Sequence, residues 1–185
     1  MIDDILLNAE DRMEKSIESL NFDLRTIRTG RATPALVEHI PVDYYGAPTP
    51  LNQLAVIGVP EPRLIVIRPF NPGDIGDIQK AILRSDLGIT PSNDSKVIRL
   101  AIPQLTEERR KELVRQVGKR VEEARISIRN IRRDANEELK SAEKSKDIPE
   151  DDFYWGRDEI QELVDRMIEQ IDGIGEAKEK EILEI

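Results

Sequence analysis

TEERRKELVRQVGKRVEEARISIRNIRRDANEELK, residues 106–140, decides the fold, because its apolar residues return at steps of three and four. Leu113, Val117, Val121, Ala124, Ile128, Ile131, Ala135 and Leu139 fall on one stripe of an amphipathic helix. Thr106 is a candidate N-cap, and Glu107 and Glu108 suit the positive end of the helix dipole. Carried on to Asp147, the pattern predicts a helix about 60 Å long. A helix that is apolar on one side only must bury that side, so the rest of the chain has to supply matching stripes.

Two such stripes exist. Ile2, Leu6, Ala9, Met13, Ile17, Leu20, Leu24 and Ile27 predict a first long helix. Phe153, Ile160, Leu163, Met167, Ile171 and Ile174 predict a third, after a turn at DIPEDD in which Pro149 suits a first helical turn. Three stripes buried against one another make a three-helix bundle. Between the first and second helices the texture changes. LVEHIPVDYY, LAVIGV, RLIVIRPF and KVIRLAIP are short Val/Ile-rich runs bounded by Pro, Gly and Asn, which read as strands. Ile75, Ile78, Ala81 and Ile82 predict a helix crossing between the third and fourth. The expected class is therefore α+β. Residues 1–29 and 106–185 form the bundle, residues 32–102 form a small inserted α/β domain, and the connections at 29–32 and 103–105 form a hinge. Gly30, Arg31, Pro103 and Gln104 are the candidate pivot. An elongated rod carrying a small globule at one end is the expected outline.

Composition excludes several functions. The chain of 185 residues has no cysteine, which removes disulfides, thiolate metal sites and cysteine nucleophiles. No run approaches the roughly 18 apolar residues of a membrane span, and MIDDIL has no basic, apolar leader, so a cytoplasmic protein is expected. The single histidine, His39, reads as a surface side chain in a strand beside Glu38, and no phosphate-binding GxxxxGK[ST] occurs. Asp86 to Gly88 reads as a helix end, and the carboxylates of PEDD as partners of a helix dipole rather than metal ligands. Tyr44 and Tyr45, before Gly46, are expected to face opposite sides of a hairpin strand.

Charge is segregated. The net charge of −9 conceals +3 over residues 106–147 and −9 over residues 148–185, and residues 109–133 hold 10 basic against 3 acidic side chains. At about 100° per residue, Lys111, Arg115, Arg125, Arg129, Arg132 and Arg133 share roughly one third of the helix circumference, with Gly118 among them. Arg25 and Arg28 lie three apart near the end of the first helix, with Arg31 just beyond. A run of this kind is ordinarily a solvated face tied to an acidic neighbour by salt bridges. The use of Arg over Lys, and the absence of any acid between Arg125 and Arg133, favour phosphate recognition on a nucleic acid. A helical scaffold for protein clients is the competing reading. It predicts binding indifferent to salt, where nucleic-acid binding weakens steeply as salt rises.

DLRTIRTGRATPALVEHIPVDYYGAPTPLNQLAVIGVPEPRLIVIRPF, SDLGITPSNDSKVIRLAIPQLTEERRKELV, ARISIRNIRRDA and KEKEIL, taken in order, resemble the ribosome recycling factor family over essentially the whole chain. RTGRA, VDYYG, SDLG and IRNIRR are its specific marks. The resemblance implies an L-shaped, two-domain monomer with the outline of transfer RNA. It implies binding to the post-termination ribosome and, with elongation factor G and GTP, dissociation into subunits with release of mRNA and tRNA. The implied protein is a translation factor with no catalytic residue and no cofactor, GTP being used by the elongation factor. Its rod is implied to lie on large-subunit ribosomal RNA through Arg129 and Arg132, with Arg28 and Arg31 nearby. FYWG at residues 153–156 departs from the polar residues usual in the family, and Gly173 and Gly175 predict a bent or frayed end to the last helix.

Overall fold

The computed structural model describes residues 1–27 and 29–184. Its chain divides into two compact units, one of Met1–Arg28 with Glu107–Glu184 and one of Thr29–Thr106.

The first unit is three long helices: α1 (Ile2–Arg25), α3 (Glu107–Lys144) and α4 (Glu150–Leu183). All eight apolar residues expected to line α3 are buried, and Ala142 adds a further turn to that stripe. At 38 residues α3 spans about 57 Å. The stripe of α1 is corrected at its ends. Ile5 takes the buried place expected of Leu6, and Ile27 lies beyond the helix, which stops at Arg25. On α4 the buried line runs through Gly156, Ile160, Leu163, Val164, Met167, Ile171, Gly175 and Ile182, with Phe153 and Ile174 only partly covered.

The expected fraying at Gly173 and Gly175 does not occur, and α4 is continuous to Leu183. Gly175 is a packing device: a Cβ there would lie 2.7 Å from Cγ2 of Val121 on α3. Gly156 works likewise against Leu139, 3.0 Å from where its Cβ would be. The absence of a side chain at these two points lets α4 approach α3 closely. The last turn of α4 is held by Arg110, whose Nη1 donates to the carbonyl of Leu183 at 3.4 Å. Pro149 is the N-cap of α4, one position before the expected first turn, and Glu150, Asp151 and Asp152 face the positive end of the dipole.

The second unit carries a hairpin of β1 (Pro41–Tyr44) and β2 (Ala47–Pro50), and an antiparallel sheet in the order β3-β4-β6-β5. The sheet comprises β3 (Ala55–Glu61), β4 (Leu64–Pro69), β5 (Ser92–Asn93) and β6 (Ile98–Ala101). Helix α2 (Ile75–Arg84) follows β4 and buries Ile75, Ile78, Ala81 and Ile82, the four residues its spacing singled out. These pack with Ile65, Ile67, Ile98 and Leu100, the inward residues of β4 and β6, in one core.

The run at residues 36–45 is strand only over its last part. Pro34 opens a single 3₁₀ turn, Pro34–Leu36, and its carbonyl accepts from the N–H groups of Val37 and Glu38 at 3.1 and 3.0 Å. His39 therefore lies in a turn and not in a strand, exposed, 3.4 Å from Glu38. Tyr44 packs against the core while Tyr45 is 89% exposed with φ 51°, so the two diverge as expected, at a tight turn with Gly46.

Candidate nucleic-acid interface

The basic side chains of α3 separate into groups by their angle about the helix. Arg109, Lys119 and Arg120 turn to the side of α1, where they line a groove of about 330 Å³ with Asp23, Thr26, Ile27, Leu113 and Gln116. Arg110 falls on the angle of the buried stripe and is drawn inward. The six residues of the expected arc, Lys111, Arg115, Arg125, Arg129, Arg132 and Arg133, lie on the other flank, toward α4.

Within that arc the environment changes with angle. Arg125 and Arg132, nearest the apolar stripe, reach across to α4. Nε of Arg125 donates to Oδ1 of Asp172 at 2.9 Å, and its Nη2 donates to the same oxygen. Arg132 donates from Nη1 to Oε1 of Gln161 at 3.2 Å, and Gln161 in turn donates to Asp165 at 2.8 Å. In the middle of the arc Glu122 serves two arginines. Its Oε2 accepts from Arg125 Nη1 and its Oε1 from Arg129 Nη1, each at 3.2 Å. Lys111 stands 3.5 Å from Glu107. Arg115 and Arg133, at the outer margin, are exposed and have no ion pair among the described residues. Gly118 sits on the same arc with open space beyond it.

These pairs leave an electrostatic mark. The two guanidinium hydrogen bonds, from Arg125 and then Arg129, hold the Glu122 carboxyl below its ordinary range. Arg125 is raised, first by Asp172 and then by Glu122. The sequence reading missed Glu122, Gln161 and Asp172 as part of the site. Glu122 was legible, since it precedes Arg125 by three and Arg129 by seven residues on one helix face. Gln161 and Asp172 were not, because they come from another helix whose register only packing fixes.

Of the remaining candidates, Arg28 lies outside the described residues. Arg25 and Arg31 are exposed, the first on the last turn of α1 and the second in the other unit. Gly30 has φ 81°, a left-handed conformation suited to glycine. Residues 103–106 have no regular structure. At the start of α4, Tyr154 and Trp155 are 44% and 50% exposed, and the guanidinium of Arg157 lies 4.9 Å from the Tyr154 ring centre. Among the described residues no group of three or more His, Cys, Asp or Glu is placed to hold a metal ion, and no helix is long and apolar enough to cross a membrane.

Three long helices with an antiparallel sheet unit inserted between the first two are an architecture shared with solved structures. The family profile described as Ribosome recycling factor matches residues 20–183. The ribosome-recycling factor of Syntrophomonas wolfei is 62% identical over 185 residues, all of both chains. The chain belongs to the ribosome recycling factor family. The ribosome-recycling factor of Carboxydothermus hydrogenoformans is 58% identical, again over the whole of both chains. A solution structure of the ribosome recycling factor matches with a TM-score of 0.80 at 42% identity, covering 100% of this chain and 98% of that one. The T. thermophilus ribosome recycling factor, described with the E. coli elongation factor G on the E. coli post-termination complex, matches with a TM-score of 0.66 at 44% identity over 99% of each chain. A ribosome recycling factor is a translation factor and not a catalyst.

Proposed function

We propose that this protein acts in the cytoplasm as a monomer on the post-termination ribosome. With elongation factor G and its GTP it promotes dissociation into subunits and release of mRNA and tRNA. The observation that carries the reading is the match over 99% of each chain to a recycling factor described together with elongation factor G on such a complex. The chain takes no cofactor and contributes binding, not chemistry. Large-subunit ribosomal RNA is the partner of the arc on α3. Arg115 and Arg133 offer uncommitted guanidiniums, Arg129 and Arg132 stand on the same flank, and Lys111 and Arg125 extend the positive surface of α3; Arg28, outside the described residues, and Arg31, in the other unit, are proposed as further RNA contacts. Guanidinium forks match phosphate oxygens in geometry and charge, which suits RNA backbone. The connections containing Gly30, Arg31, Pro103 and Gln104 serve as the hinge on which the inserted unit moves when the elongation factor acts.

Pelleting with purified vacant ribosomes tests the RNA face. Wild-type protein is expected to bind with an affinity that falls steeply from low to moderate salt. Arg129→Ala with Arg132→Ala is expected to lose on the order of tenfold or more, since hydrogen bonds to charged groups contribute about 1.5–3 kcal/mol each. Equal binding by the two proteins would move the interface elsewhere. Subunit dissociation with elongation factor G and GTP, followed by light scattering, is the corresponding test of activity.

A further inference from the structure

The arginine arc is not bare. Three of its six cations already have carboxylate partners: Lys111 stands 3.5 Å from Glu107, and Arg125 and Arg129 have carboxylates on the N–H edges that a phosphate would take. Glu122 lies at 3.2 Å from each of these arginines, and Asp172 of α4 is on the Nε edge of Arg125 at 2.9 Å. These carboxylates are part exposed, at 47% and 40% of their side-chain surface, so they are not needed to neutralise a buried charge. An arginine with no partner in water would serve solubility equally well. The pairing is also selective in place: Arg115 and Arg133, on the outer margin of the same arc, have no such partner.

We infer that Glu122 and Asp172 are specificity-determining residues, built-in counter-ions that keep Arg125 and Arg129 from engaging RNA backbone unless the phosphates are placed to replace them. The inference rests on the reading of this arc as the RNA face. An RNA phosphate reaching Arg125 or Arg129 exchanges one ion pair for another, so a generic duplex gains little from them. It also meets the displaced carboxylate as a like charge at close range. A cognate surface that holds the outer arginines, Arg115 and Arg133, and places further phosphates in register repays the exchange. The acidic α4 extends the same effect along the flank, where Asp165 and Asp172 follow Gln161 on the side facing the arc. In a chain of net charge −9 this arrangement confines RNA binding to one face and conditions it on geometry.

The test compares wild type, Glu122→Gln, Asp172→Asn, the double variant and Glu123→Gln. Each binds two probes over a range of salt concentrations: a short RNA duplex of unrelated sequence, and purified vacant ribosomes. Glu123→Gln removes the same charge from the same helix at a pair with Arg120, 3.1 Å away and outside the arc. Amide substitution keeps side-chain size, and helicity and thermal midpoint are measured to establish that each variant is folded. An exposed ion pair affects an equilibrium by about two- to fivefold. Affinity for the unrelated duplex is therefore expected to rise by that factor for each of Glu122→Gln and Asp172→Asn, with a steeper dependence on salt as more phosphates are engaged. Ribosome affinity is expected to rise less, so the ratio between the two probes falls. Equal gains on both probes, no gain on the duplex, or an equal gain from Glu123→Gln would overturn the inference. Arg129→Ala with Arg132→Ala is run alongside. If that variant binds ribosomes as wild type does, the RNA face itself is misplaced; if it loses binding while the carboxylate variants change nothing, only the counter-ion role fails.

Discussion

Asp94 shows how much a single exposed side chain organises. Its Oδ2 accepts from Nη1 of Arg99 at 2.8 Å, and its Oδ1 accepts from the N–H groups of Lys96 and Val97, each at 3.1 Å. This fixes the turn from β5 into β6, in which Ser95 adopts φ 77°. The Arg99 hydrogen bond foremost, then the two backbone N–H groups, lowers the carboxyl from 3.8 to about 2. A folded-state value below the unfolded one contributes stability that is present above pH 3.8 and lost as pH falls through about 2. Asp94→Asn is therefore expected to weaken amide-exchange protection of β6 at pH 6, with the gap from wild type closing between pH 4 and pH 2. A gap independent of pH would show that the carboxylate charge is not responsible. The pattern DSKV, with Asp two residues before Lys96, is a turn signal that could be read directly. His39 is exposed as the sequence suggests, but it lies in a turn and not in a strand, because Pro34 opens a 3₁₀ turn just before it in the Val/Ile-rich run.

Among the elements, the seam between α3 and α4 shows that glycines in one helix need not share a role. Gly173 has nothing within 4 Å of an added Cβ, while at Gly175 that atom would meet Val121 at 2.7 Å. Alanine gains about 1 kcal/mol over glycine at either position through helix propensity. At Gly175 the gain is opposed by overpacking, about 1–3 kcal/mol, against a β-branched side chain that has little freedom in a helix. Gly173→Ala is expected to raise the midpoint of urea unfolding, followed by far-ultraviolet circular dichroism, and Gly175→Ala to leave it unchanged or lower it. Stabilisation by both would mean that α4 can retreat from α3 without cost. The stripes of all three helices were legible because burial repeats with the helix period. The short strands β2 and β5 were not, since β2 contains Pro48 and Pro50, and β5 is only two residues long.

For the whole molecule, the chain passes between its two compact units near residues 28–29 and 106–107. The hinge proposed there predicts a separation of binding from activity. Gly30→Ala disfavours φ 81° by about 1–2 kcal/mol, so it changes the conformations open to one connection without touching the arc on α3. Ribosome pelleting is expected to stay near wild type while subunit dissociation with elongation factor G slows. Parallel loss of both would place residue 30 in the binding surface; no change in either would remove it from the mechanism.

Period and composition alone determined the three amphipathic stripes, the change of texture between the first two, the crossover helix and the angular clustering of arginines on one flank. Each is a local property, repeated along a contiguous segment. Tertiary structure alone decided that Asp172 and Gln161 of α4 meet those arginines, and it also gave Gly156 and Gly175 their packing role. Both depend on the axial register between α3 and α4. That register is set by how knobs from one helix fill spaces on the other over their full length, and no single segment of the sequence carries it.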